Sequence, residues 1–292
     1  MLPRHKPNPI PAIHPLPEYK ATGARKAVYE DTKAVLGVPW MGVVTMAFSH
    51  YPSFYQTLWS GVRPLCQSRA FGDACLRLRA FTEAQAADFP LADLQPALRS
   101  QGYAERELDD IRAIIEVFSV GNMPYLLLAT LARLLLQGNE MGGPVSPGAA
   151  QVMAGMTPVV ERRLILLERH HADAPTRAVY DDIQATLGLP LINTDYRALA
   201  RWPSYFAAAW GNLKPVILGN DYPQRAEAIH YEAVRLALAL PNPGGLRSAA
   251  LQSAALADAP KGEVDSVVGL FQWLLPGLVA NVAGFQRQIK PS

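Results

Sequence analysis

The chain has 292 residues, half of them apolar and 18% charged, with a formal net charge of +2. That is enough to bury a sizeable core in one large domain or two similar ones, and the near-neutral balance, with no block of Lys and Arg interleaved with aromatics, argues against a nucleic-acid partner. The two cysteines, Cys66 and Cys75, match neither a redox dithiol nor a zinc-ligand spacing, which points to a reducing, cytoplasmic setting.

Residues 1–20 hold several prolines but no apolar stretch of the length a secretory signal requires, and read as an extended surface arm. A helix is expected near 24–36. It stops at Leu36-Gly37-Val38-Pro39, where glycine suits a left-handed cap and the residue before proline leaves helical geometry. A short irregular link follows, and a second helix restarts around Tyr51-Pro52, since proline is tolerated in a first helical turn. Further on, Leu108, Ile111, Ile115 and Phe118 recur three and four apart, as on one face of a helix. Asn122, in Gly121-Asn122-Met123-Pro124, reads on its own as a turn residue before a buried helix.

The Gly- and Pro-rich residues 138–160 read as a linker, after which the chain repeats itself. Residues 27–64 realign on 178–215 without a gap at a constant offset of 151, pairing Tyr29 with Tyr180, Pro39 with Pro190 and Trp59 with Trp210. Two tandem helical repeats, 21–137 and 161–292, packed as an all-α intramolecular pseudo-dimer, are therefore expected. His170-His171 lacks the carboxylate and histidine spacing of a metal site and reads as a surface pair. Ser266 to Phe285 is uncharged, yet it contains Gln272, Pro276 and Asn281 and has no companion span. It reads as a central buried helix, with no membrane partner.

A duplication keeps in both copies what the fold needs, so an ionisable residue present in one copy only marks candidate chemistry. Asp31/Asp182 and Trp59/Trp210 occur in both halves and read as scaffold. Asp195 faces Val44, and Asn122 lies where the second half has Trp273-Leu274-Leu275-Pro276. One half thus supplies an Asp and the other an Asn, as for a single site between them. Asp195 fits a helix cap or a general base about equally well; as a base in an apolar pocket it would have a raised pKa and take a proton from water, which Asn122 could hold. Trp40, Tyr125 and Trp273 lie near these positions and could line a small apolar pocket.

Taken together, Val38-Pro39-Trp40, the Gly-Asn-x-Pro-Tyr of 121–125 and the run from Asp195-Tyr196 through Trp202-Pro203 resemble the group I 2-haloacid dehalogenases, over nearly the whole chain. These are duplicated all-α enzymes. The resemblance implies cofactor-independent and metal-independent hydrolysis of a short 2-haloalkanoic acid to the 2-hydroxy acid, with inversion at Cα. It places water activation on Asp195 and water orientation on Asn122. Trp40 falls on the pocket aromatic, Thr194 on the residue beside the substrate carboxylate, and Tyr125 and Trp273 on positions near the pocket. Asn193, two residues before the Asp, adds a polar group where family members differ and points toward D preference. The alternative from the residues alone is a non-catalytic helical binding protein for small apolar carboxylic acids. A homodimer is compatible with either reading.

Overall fold

A computed structural model describes residues 2–143 and 164–290, so most of the 138–160 linker lies outside the described residues. Among these residues there is no strand; after a 3-10 turn at Glu18–Lys20, twelve α-helices follow. The first six are α1 (Gly23–Leu36), α2 (Val43–Phe48), α3 (Pro52–Cys66), α4 (Arg69–Ala86), α5 (Gln95–Ser100) and α6 (Glu105–Leu136). The second six are α7 (Ala174–Leu187), α8 (Thr194–Leu199), α9 (Pro203–Ile217), α10 (Tyr222–Ala239), α11 (Ser248–Asp258) and α12 (Glu263–Arg287). Order and spacing run in parallel through the two sets.

The shared local signals have a shared physical result. Gly37 and Gly188 close α1 and α7 in the left-handed region, at φ 65° and 60°, where a side chain would be strained. Pro52 and Pro203 open α3 and α9 at positions where no intrahelical N–H is needed. Each half also carries the same tie between its first and third helices. Trp59 Nε1 donates to Asp31 Oδ2 at 2.8 Å, and Trp210 Nε1 donates to Asp182 Oδ2 at 2.7 Å. A cation completes each tie, Arg63 on Asp31 and Lys214 on Asp182, and holds the carboxyl below its ordinary range. Both pairs are substantially exposed, so they fix geometry more than they add stability.

The halves meet through two pairs of corresponding helices, α6 along α12 and α4 against α10, and through α3 packed against α11. Two six-residue helices cross over, α2 resting on α12 and α8 on α6. By length and composition α6 and α12 could each cross a membrane, but both are mostly buried inside the bundle. They are the central helices of its core.

One expectation from the sequence needs correcting. Asn122 does not precede a helix; it sits within the 32-residue α6, which runs through Pro124. Proline forgoes one backbone hydrogen bond there, and α6 tolerates it because its middle is packed on all sides, as α12 tolerates Pro276.

Candidate active site

Where α8 rests on α6, Asp195 meets Asn122. Asn193 is the N-cap of α8, with extended backbone and no side-chain capping bond, and Asp195 is the second helical residue. Its carboxylate therefore does not cap its own helix and is free to point toward α6. Asn122 Nδ2 donates to Asp195 Oδ1 at 2.6 Å, and both side chains are buried. Burial pushes the Asp195 carboxyl up from 3.8 to about 6, while the Asn122 hydrogen bond, its own backbone N–H and the charge of Arg197 each pull it back.

Asn122 shares a face of α6 with Phe118 and Tyr125, four residues before and three after it. Tyr125 Oη donates to the Trp40 carbonyl at 2.6 Å and accepts from Gly42 N at 2.8 Å, which pins the loop leading into α2. That loop carries the Trp40 indole, edge-on to Phe118 with ring centroids 4.8 Å apart. Two glycines permit the approach. A Cβ on Gly121 would run into the Trp40 indole, and one on Gly42 would lie 2.9 Å from the Tyr125 ring.

These groups enclose a cavity of about 20 Å³ lined by Trp40, Gly42, Val43, Val44, Asn122, Tyr125, Asn193, Thr194, Asp195, Phe271, Leu275 and Leu278. Space of that size accommodates roughly one water molecule, and its polar groups converge on the Asp195–Asn122 pair. Six of the seven residues singled out from the sequence thus line one cavity.

Trp273 does not line it. Residue 273 lies roughly 200° around α12 from Phe271, so its half-buried side chain faces the N-terminal arm. Arg4 stands over its ring at 5.5 Å and Lys6 at 5.0 Å, and Arg4 Nε donates to its carbonyl at 3.0 Å. There Trp273 lines a second cavity, of about 290 Å³, which borders the first through Asn193 and Leu278. The apolar wall of this cavity beside Asp195 was missed from sequence, although Phe271, Leu275 and Leu278, spaced four and three on α12, carry the periodic signal that identifies it. His170 and His171 are exposed and take no part in the cavity.

The all-α arrangement of these helices matches the D-2-haloacid dehalogenases. A solved structure of one, in complex with L-LA, matches it with a TM-score of 0.91 and 34% identity, covering 99% of this chain and 100% of that one. The family model described as halocarboxylic acid dehydrogenase DehI matches residues 39–196. The chain is also 46% identical over 247 residues to a (R)-2-haloacid dehalogenase of Rhizobium sp. (strain NHG3), covering 84% of this chain and 95% of the relative. It is 38% identical to a (R)-2-haloacid dehalogenase of Pseudomonas putida, covering 94% of this chain and 92% of the relative. The chain belongs to this family, and it is a dehalogenase rather than a non-catalytic binding protein.

Proposed function

We propose that this dehalogenase hydrolyses short (R)-2-haloalkanoic acids to the (S)-2-hydroxy acid, halide and a proton, with Asp195 as general base toward a water that attacks Cα directly. The observation that carries the reading is the buried Asp195 carboxylate, held by Asn122 at 2.6 Å in a cavity the size of one water. With Oδ1 engaged by Asn122, Oδ2 is the oxygen available to take the proton. Displacement at a saturated carbon puts the nucleophile opposite the leaving halide, so direct attack inverts Cα. Val43, Val44, Phe271, Leu275 and Leu278 keep bulk water from the reacting groups and strengthen every electrostatic contact among them. Thr194 and Asn193, at the start of α8, are the polar groups left to receive the substrate carboxylate. The enantiomer follows the two (R)-specific relatives. The buried, unpaired Cys66 and Cys75 suit the reducing cytoplasm.

The test uses (R)- and (S)-2-chloropropionate separately. Chloride is expected from the R form, with (S)-lactate as product. An ester formed by Asp195 would also invert Cα, so a single turnover in heavy-oxygen water separates the routes: label belongs in the lactate, and label in the Asp195 carboxylate would overturn direct attack. Because Asp195 must be ionised to accept a proton, kcat/KM against pH is expected to fall on the acid side with an apparent pKa near 6. An acid limb near 4 would show that burial does not govern the base.

A further inference from the structure

Next to Asp195 lies an ion pair that the assigned chemistry leaves unused. Arg197 Nη1 meets Glu168 Oε1 at 2.6 Å. Its Nη2 donates to Thr194 Oγ1 at 3.3 Å, and its Nε is buried with no partner among the described residues. The backbone holds the same neighbours together, since Leu167 N donates to the Arg197 carbonyl at 3.0 Å.

The internal repeat shows that this pair is not required by the fold. Tyr29 Oη donates to the Leu16 carbonyl at 3.1 Å, and Tyr180 Oη donates to the Leu167 carbonyl at 2.7 Å, so the offset of 151 extends back to these segments. At that offset Glu168 corresponds to Pro17 and Arg197 to Met46. The scaffold bonds recur in both halves, whereas the ion pair is confined to the half that carries Asp195.

Its geometry reaches both functional groups on α8. A hydroxyl whose oxygen accepts from a guanidinium turns its own hydrogen away from that cation, which leaves the Thr194 O–H free to donate into the cavity it lines. A positive charge close to a buried carboxylate favours the ionised form, and Arg197 acts on Asp195 in that direction. The other faces of Asp195, from the Trp40 loop, α2, α6 and α12, present no charged side chain to the cavity. The titratable neighbours, Tyr125 on α6 and Tyr196 on α8, are tyrosines that burial pushes up, so they stay neutral.

We propose that Arg197, clamped by Glu168, is a positioning residue of the dehalogenation reaction: it turns the Thr194 hydroxyl toward the substrate carboxylate and keeps a fixed positive charge beside Asp195, which Glu168 partly cancels. The inference rests on Asp195 acting as the base.

Profiles of kcat and KM against pH on (R)-2-chloropropionate, for wild type, Arg197→Met, Arg197→Lys and Glu168→Gln, test it. Arg197→Met should move the acid limb of kcat/KM upward by roughly half a pH unit or more and raise KM about tenfold. Arg197→Lys should restore the limb, because it keeps the charge, while retaining part of the KM defect, because the planar fork is lost. Glu168→Gln should move the limb the other way, to lower pH, because the cation is no longer partly cancelled. Opposite displacements cannot come from general loosening of the fold. Limbs at the wild-type pH in both Arg197→Met and Glu168→Gln overturn the proposal, and if Arg197→Met does not fold, an unmoved Glu168→Gln limb overturns it alone. Asp195→Asn serves as control. Retained turnover there refutes the base itself, whereas lost turnover with unmoved limbs in the other variants refutes only the role of Arg197.

Discussion

Asp195→Asn is expected to fold, to release halide about 10³- to 10⁴-fold more slowly, and to be more stable than the wild type at neutral pH. The slower release follows from removing the proposed base while leaving the shape of the cavity intact. The added stability follows from proton linkage. Burial raises the folded-state carboxyl from 3.8 to about 6, so between those values the folded chain holds a proton that the unfolded chain has released. Stability therefore falls as pH rises through this window, and above it the folded protein carries a cost of roughly 3 kcal/mol for keeping Asp195 ionised and buried. An amide has no such cost. Urea unfolding of the two proteins at pH 4 and pH 7.5 should give nearly equal stabilities at the lower value and an advantage for the variant at the higher. A stability difference that does not change with pH would contradict this account, whatever happened to turnover.

Substitution of Asn122 should produce the next largest loss. Asn122→Leu keeps the branching and heavy-atom count of the side chain but removes the donor to Asp195 Oδ1, a charge-assisted hydrogen bond of the kind that contributes about 1.5–3 kcal/mol. Between about tenfold and a hundredfold of kcat should be lost, with KM little changed, if the contact that matters is the one to Asp195. The acid limb should also move upward, because the Asn122 bond is the largest of the influences that lower the Asp195 carboxyl. Asn122→Asp is the harsher test. It sets a second carboxyl within hydrogen-bonding distance of the first, and two such groups cannot both ionise in a buried site. The pair would share one proton at neutral pH, and activity should recover only as the medium becomes more alkaline. Wild-type kcat and an unmoved limb in both variants would remove Asn122 from the mechanism.

What could be read from the sequence depended on whether a feature was local. The ends of α1 and α7 are written in Leu-Gly-x-Pro, and the starts of α3 and α9 in a proline preceded by an aromatic residue. Asp195 was found by comparing the chain with itself, which needs no knowledge of the fold. Asn122 was placed wrongly in its element because Pro124 imitates a helix start, and only the burial of α6 shows that the helix continues through it. Trp273 was drawn to the pocket by its aromatic character, although its angular position on α12 already sets it apart from Phe271, Leu275 and Leu278. The Glu168–Arg197 pair has no local signature at all: its partners are 29 residues apart and meet only because Tyr180 and Arg197 both tether the segment around Leu167.

The exchange of Val44 for Asp195 also bears on why the two halves are one chain. In a symmetric dimer of half-length chains every substitution appears twice, so a buried carboxylate gained for chemistry would be gained on both sides of the seam, together with its folding cost. Each Asn facing such a carboxylate would likewise be duplicated on the central helices, where the second half instead has leucine. Tandem fusion frees the two copies to mutate separately. One half can then bear the destabilising charge while the other, with valine at the matching position, supplies apolar packing, so the chain carries the thermodynamic cost of one such buried anion rather than two.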